Sequence, residues 1–171
     1  AEIDAYVRDT PRRRPHEKPF QRFPRWMWAN TDVMAFVHWL RAHNETRPPE
    51  ERVAFYGLDL YSMNASIDAV LLYLDDVDPS AAALARERYA CLTPWQDDPL
   101  LYGASGPSGA FDECEQAVLA MLNDLMLRRM DYLSADGRRF ADAVHNARLI
   151  ASAERYYRVM YYGGAESWNL R

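Results

Sequence analysis

The chain is short of the features that usually announce a chemistry. Only two of its 171 residues are cysteine, and Cys91 and Cys114 lie too far apart for a CxxC metal or redox motif. Two buried thiols in a reducing compartment is the reading they support. Histidine is also scarce. The four are His16, His38, His43 and His145, and His38 and His43, five apart, do not share a helical face and make poor metal partners. No excess of positive charge exists: the net charge is −5, which gives no global basic field for nucleic acid. No apolar run approaches the roughly 20 residues of a membrane span. Glycine is sparse too, and Gly103, Gly106 and Gly109 make no phosphate loop, since no strand precedes them and Pro107 interrupts. A G-x-S-x-G nucleophile elbow is absent. The acids Asp75, Asp76 and Asp78 cluster without calcium-loop spacing. No residue implies a metal or a cofactor.

Apolar and aromatic side chains are plentiful. A hydrophobic fraction of 49% and an aromatic fraction of 13% exclude a disordered chain and suffice for a real core. Residues 1–9 read as a helix end with Ile3, Tyr6 and Val7 on one face. Residues 10–19, with three prolines, read as a solvated loop. Thr31 is placed to cap a helix to about Asn44, with Val33, Phe36, Val37 and Leu40 spaced i, i+3, i+4, i+7. Arg52 to Leu58 is short, apolar and β-prone, and reads as the single strand. Ser62 is placed to cap the next helix, striped by Ile67, Val70, Leu71 and Leu74. Asp78-Pro79 starts another, an N-cap followed by Pro at the first helical position; it ends near Cys91. Residues 93–109 read as a loop. Phe111–Leu133 and Arg138–Tyr162 read as long helices joined at Ser134–Gly137, hence an antiparallel hairpin. The fold class is mainly α: a helical bundle or hairpin with one short strand.

Three clusters stand out as candidate site residues. Asp59 follows the expected strand, with Tyr61 and Ser62 next. Ligands of α/β proteins sit beyond the carboxyl ends of strands; an Asp there equally serves to satisfy loop amides. Trp26 and Trp28 are suited to wall an apolar cleft, or to pack the following helix. Tyr156, Tyr157, Arg158, Tyr161 and Tyr162 crowd one helix end. Tyr157 and Tyr161 share one face, Arg158 and Tyr162 the neighbouring one; one face is core, and the other offers phenol and guanidinium donors. Trp168, Asn169 and Arg171 continue that chemistry, since Asn and Arg bind carbonyls and oxyanions.

Three blocks, FPRWMWAN (Phe23 to Asn30), VAFYGLDLYS (Val53 to Ser62) and the stretch from Asn146 to Arg171, in that order and spacing, resemble the erythromycin-esterase-like family, also labelled succinoglycan-biosynthesis-type proteins. The resemblance runs over nearly the whole chain. It implies a single helical segment, residues 1–171, from the middle of a larger α/β domain. It also implies a bacterial, cytoplasmic parent that hydrolyses carboxylic esters, macrolide lactones among them, by water attack on the ester carbonyl, a route to antibiotic resistance. The Gly-Glu-x-x-His-Gly segment that carries the family's water-activating His, and a second His in Trp-Ala-His-Asn, are not in this sequence. On that reading the chain holds no catalytic residue. Trp26, Trp28, Asp59, Tyr61, Tyr157, Arg158, Tyr161, Trp168, Asn169 and Arg171 supply the cleft wall and support, and the partner is a small ester substrate, with no nucleic acid and no membrane. The chain is expected to dock on the rest of its fold or to self-associate, leaving Val53–Leu60 or Tyr156–Trp168 partly exposed. Two other classes stay open: a non-catalytic helical binding module, and part of a polysaccharide biosynthesis protein.

Overall fold

The computed structural model describes residues 2–11, 20, 25–57, 60–96, 98–104, 109–161 and 163–166. They divide into two compact units, Ala1–Gly57 and Leu58–Arg171. No β-strand forms among the described residues. No helix among them is long and apolar enough to cross a membrane.

The first unit holds α1 (Glu2–Arg8), α2 (Arg25–Trp28) and α3 (Thr31–Glu45), then a 3₁₀ turn at Pro49–Glu51. The cap of α3 is Asn30 rather than Thr31: its Oδ1 accepts from the Val33 backbone N–H at 2.9 Å. Asn is at least as good an N-cap as Thr, so sequence alone offered two adjacent candidates. Along the expected stripe Val37 and Leu40 are buried with Val7, while Phe36 is half exposed.

The expected strand at 52–58 is corrected. Residues 52–57 have no strand partner; Leu58 lies outside the described residues. Helix side chains take the place of a neighbouring strand. Asn44, only 1% exposed, accepts from the Val53 N–H at 2.8 Å and donates to the Val53 carbonyl at 2.9 Å and to the Val7 carbonyl at 2.8 Å. Phe55 N–H donates to Asp4 at 2.9 Å, and Arg52 donates to the Arg8 carbonyl at 2.6 Å. Arg41 donates to the Tyr6 carbonyl at 2.6 Å and to Asp9 at 2.9 Å. The backbone groups that a ladder would satisfy are thus met by side chains.

The second unit holds α4 (Met63–Val77), α5 (Pro79–Tyr89), α6 (Leu100–Ala104), α7 (Gly109–Leu127) and α8 (Arg129–Val159). In α4, α5, α7 and α8 each helix packs on the next and α8 closes the ring on α4. Antiparallel neighbours are marked by contacts between opposite ends: Asp78 at the start of α5 with Arg128 just past α7 at 2.5 Å, and Arg158 late in α8 with Glu115 early in α7 at 2.7 Å. Arg139 pairs with Asp76 at 2.7 Å, and Tyr61 meets Tyr156 edge-on at 6.5 Å, from opposite ends of the α4 and α8 contact. The result is an up-down four-helix bundle, and the expected antiparallel pairing of the two long helices is observed. The core between them contains Val70, Leu74, Ala82, Ala85, Val118, Met121, Ala147 and Ile150, all within 1% of fully buried. The small alanines of α5 and α8 let the helices approach closely.

Asp78 starts α5 as expected and does more. Its carboxylate accepts from Ala81 N–H at 3.0 Å, Ser80 Oγ at 2.7 Å, Tyr132 Oη at 2.8 Å and Arg128 Nη1 at 2.5 Å. These donors, the Ser80 hydroxyl first, hold its pKa well below the carboxylate range. Burial chiefly, and the bond to Asp78, push the Tyr132 phenol up to about 12. Ser62 occupies the N-cap position of α4 without a capping hydrogen bond.

The corner between the long helices is also corrected. α7 stops at Leu127, not Leu133, and the chain coils again from Arg129 before Asp136 breaks the helix. Arg128 and Tyr132 turn the chain there because both are tied to Asp78. Asp136 then caps the rest of α8, accepting from Arg138 N–H at 3.1 Å and Arg139 N–H at 3.0 Å. Inside the expected loop, α6 forms a short helix. The two cysteines are not free thiols: Cys91 and Cys114 are joined by a disulfide, their Cα atoms 5.7 Å apart, within the usual span of such bridges. Loop separation in sequence hid a proximity that the α5 and α7 contact creates.

Candidate functional site

The densest cluster of chemistry lies where α6 meets the C-terminal half of α8. Glu154 is 1% exposed. Its Oε1 accepts from Tyr102 Oη at 2.8 Å and from Arg158 Nε at 2.9 Å. Arg158 Nη2 reaches Glu115 at 2.7 Å. Glu154 and Arg158 stand four apart on one face of α8, the spacing at which helical side chains meet. Tyr102 comes from α6 and Glu115 from α7, so three elements meet in one network around Glu154 and Arg158.

The electrostatics follow from burial. Loss of water raises the Glu154 pKa, against the bonds from Arg158 and Tyr102 that favour its charge. Burial also raises the Tyr102 phenol, and the neighbouring Glu154 carboxylate adds to this. For Arg158 burial works against the charge, but the Glu154 hydrogen bond and charge outweigh it, and its pKa is raised. The guanidinium therefore stays charged between two carboxylates, and the phenol stays protonated. The group orients Arg158 and holds a proton on Tyr102.

The seat of Tyr102 is tight. Its ring meets Phe111 edge-on at 4.8 Å and Trp95 at 6.1 Å. At Gly103 an added Cβ would stand 2.0 Å from the Tyr157 carbonyl oxygen, so only glycine lets α6 lie this close to α8.

Of the residues the sequence singled out, the second unit brings together part of the Tyr-rich helix end. Tyr156 and Tyr157 are buried, their rings 5.3 Å apart. Tyr157 is a core residue, on a face that the sequence left open between core and donor. The choice of face could not be made from spacing alone, because the α6 contact selects it. Tyr61 is 38% exposed beside Tyr156, and Tyr161 is 51% exposed. Arg158 is mostly covered by its two carboxylates. Asp59, Tyr162, Trp168, Asn169 and Arg171 lie outside the described residues.

In the first unit Trp26 is 72% exposed and Trp28 44%. They share that unit with a ridge on α3, where Phe36 stacks on Trp39 at 5.9 Å and Trp39 on His43 at 5.4 Å. Met34 and Trp39 are largely exposed. Val53 and Tyr56 are each close to half exposed, in keeping with the expected partial exposure of that stretch.

Tyr102, Glu115 and Glu154 were missed in the sequence. A Glu at i of an Arg at i+4 beside an aromatic run was the one available signal; Tyr102 sat in a stretch read as loop. The acids Asp75, Asp76 and Asp78 each pair with an arginine instead.

The erythromycin esterase family model matches residues 1–171, the whole chain, and the chain belongs to that family. No solved structure matches it.

Proposed function

We propose that the chain is part of a carboxylic ester hydrolase whose substrates include macrolide lactones. In this reading it supplies a wall of the substrate cleft and the residues that support it, and the water-activating base comes from elsewhere in the protein. The observation that carries the hydrolase reading is the family match along every residue. The wall is assigned to the helix end where Tyr61 and Tyr161 are exposed and Arg158 is held by Glu154 and Glu115. A held guanidinium is preorganised for a carbonyl or oxyanion. Asp59, Trp168, Asn169 and Arg171 belong to the same proposal by their place in the sequence, and Trp26 and Trp28 as an aromatic wall. Ester hydrolysis on this scheme uses the protein's own groups and no cofactor. A cytoplasmic location fits the family reading, but a bridged Cys91–Cys114 pair is characteristic of oxidising compartments.

A second reading, a helical binding module, is favoured by the exposed Trp26, Met34 and Trp39. Both are decided by one set of assays. The 171 residues alone should show no esterase turnover on a macrolide or on simple aryl esters. In the complete protein, Asp59→Ala, Arg158→Ala and Arg171→Ala should each lower kcat/KM roughly tenfold to a hundredfold, the worth of a charge-assisted contact made only in the transition state. Asp75→Ala, whose carboxylate is paired with Arg86 on the surface, should leave it unchanged. Turnover by the 171 residues would place the base among them; unchanged kinetics in all three variants would leave the binding module.

A further inference from the structure

Cys91 and Cys114 stand on either side of Tyr102 in the sequence and are joined to each other. Trp95, four residues after Cys91, and Phe111, three before Cys114, both pack on the Tyr102 ring. Glu115, the residue after Cys114, holds Arg158. The bridge therefore ties together the 3₁₀ turn Ala90–Trp95 and the first turns of α7, the two elements that clasp Tyr102 over Glu154. We propose that the Cys91–Cys114 disulfide is a redox-controlled clamp on the Tyr102–Glu154–Arg158 network. It is independent of the hydrolase reading.

With the bridge closed, Cys91 and Cys114 cannot part, and Tyr102 is held on Glu154. Opening it restores the freedom that closure removed. Cys114 is 1% exposed, whereas Cys91 is partly exposed. In this reduction a dithiol reductant attacks at Cys91, the more exposed residue of the pair. Its thiolate forms a mixed disulfide there, and Cys114 leaves as a thiolate that takes up a proton. The reductant's second thiol then displaces Cys91, so two electrons and two protons pass to the protein and the reductant ends as its own disulfide. A disulfide acceptor such as oxidised glutathione runs the exchange in reverse.

The test uses the complete protein equilibrated in oxidised glutathione and then treated, or not, with dithiothreitol. Alkylation followed by mass spectrometry should find Cys91 and Cys114 blocked without reductant and both modified with it. Amide hydrogen exchange over Leu100–Ala104 should accelerate about tenfold or more on reduction, with α4 changing less than about twofold, as local opening requires. The Cys91→Ala/Cys114→Ala variant should show the fast exchange at Leu100–Ala104 with or without reductant. Free thiols after the glutathione step would overturn the proposal. So would exchange at Leu100–Ala104 that reduction does not alter, or a rise spread equally over α4, which would make the bridge a general staple and not a clamp.

Discussion

Among the described residues of 1–57 the buried apolar side chains are Val7, Val37 and Leu40, with Ala5, while polar groups make the long-range ties: Asn44, Arg41, Arg52 and Asp4 each hold backbone from a distant part of the unit. In residues 58–171 the balance is reversed. One apolar cluster runs from Met63 to Tyr157, and the polar ties, those at Asp78 and Glu154 among them, join side chains around it. The apolar core of the second unit comes from four helices that each bury several residues against the others. Among its described residues the first unit has one long helix, and Trp26, Phe36 and Trp39 stay largely outside. A unit stitched by directional bonds to backbone loses them one residue at a time; a packed core loses volume. The two should respond to different mutations.

The largest effect is expected in the bundle. Leu74 is fully buried, so Leu74→Ala should cost about 3–5 kcal/mol, transfer plus cavity. Leu40→Ala in the first unit should cost nearer about 2 kcal/mol, because a small core with exposed neighbours can collapse around the gap. Urea denaturation, with hydrogen exchange followed in each unit, measures both. Equal costs would erase the contrast between the units.

Asn44 is the sharper probe of the first unit. Asn44→Ala removes three hydrogen bonds and strands the Val53 amide and two carbonyls, for a loss of about 2–4 kcal/mol. It should exceed the loss from Val37→Ala and leave exchange in the bundle unchanged. A cost below that of Val37→Ala would mean the unit is held by its apolar contacts after all.

Asp78→Asn should cost about 1–2 kcal/mol at neutral pH, the range of a lost cap with charge-assisted partners. The pH dependence has a fixed sign. The folded pKa is depressed, so the stabilisation is present above the unfolded carboxyl's pKa of about 3.9 and declines as pH falls from there toward the folded value. The gap between wild type and variant should therefore narrow in urea titrations below about pH 4. A gap constant with pH would show that the Asp78 charge contributes nothing.

The smallest effect is expected on the α3 ridge. Trp39 is 59% exposed, and Trp39→Ser should change stability by no more than about 0.5 kcal/mol. A larger loss in thermal melts would mean that this face is covered in solution.

Much of this organisation was legible in the residues themselves. The stripes of α3 and α4, the Asp78-Pro79 start of α5 and the antiparallel pairing of the long helices follow from local periodicity and capping, which depend only on neighbours in sequence. So does the family, through three aromatic blocks in order. What remained hidden depends on distant partners. Val53 looked like a strand residue because its β propensity is real, but Asn44 offers it an amide in place of a second strand. Arg128 and Tyr132 could not reveal the helix corner until Asp78 was beside them. Cys91 and Cys114 become a bridge only when α5 and α7 are packed, and Tyr157 becomes core only because Gly103 admits α6 against its backbone. Helix period, caps and composition are short-range properties and were determined by the sequence. Which face is buried, which acid meets which arginine, and that Glu154 takes a phenol from α6, were decided by tertiary packing, because each rests on two groups far apart in the chain arriving within a few ångströms.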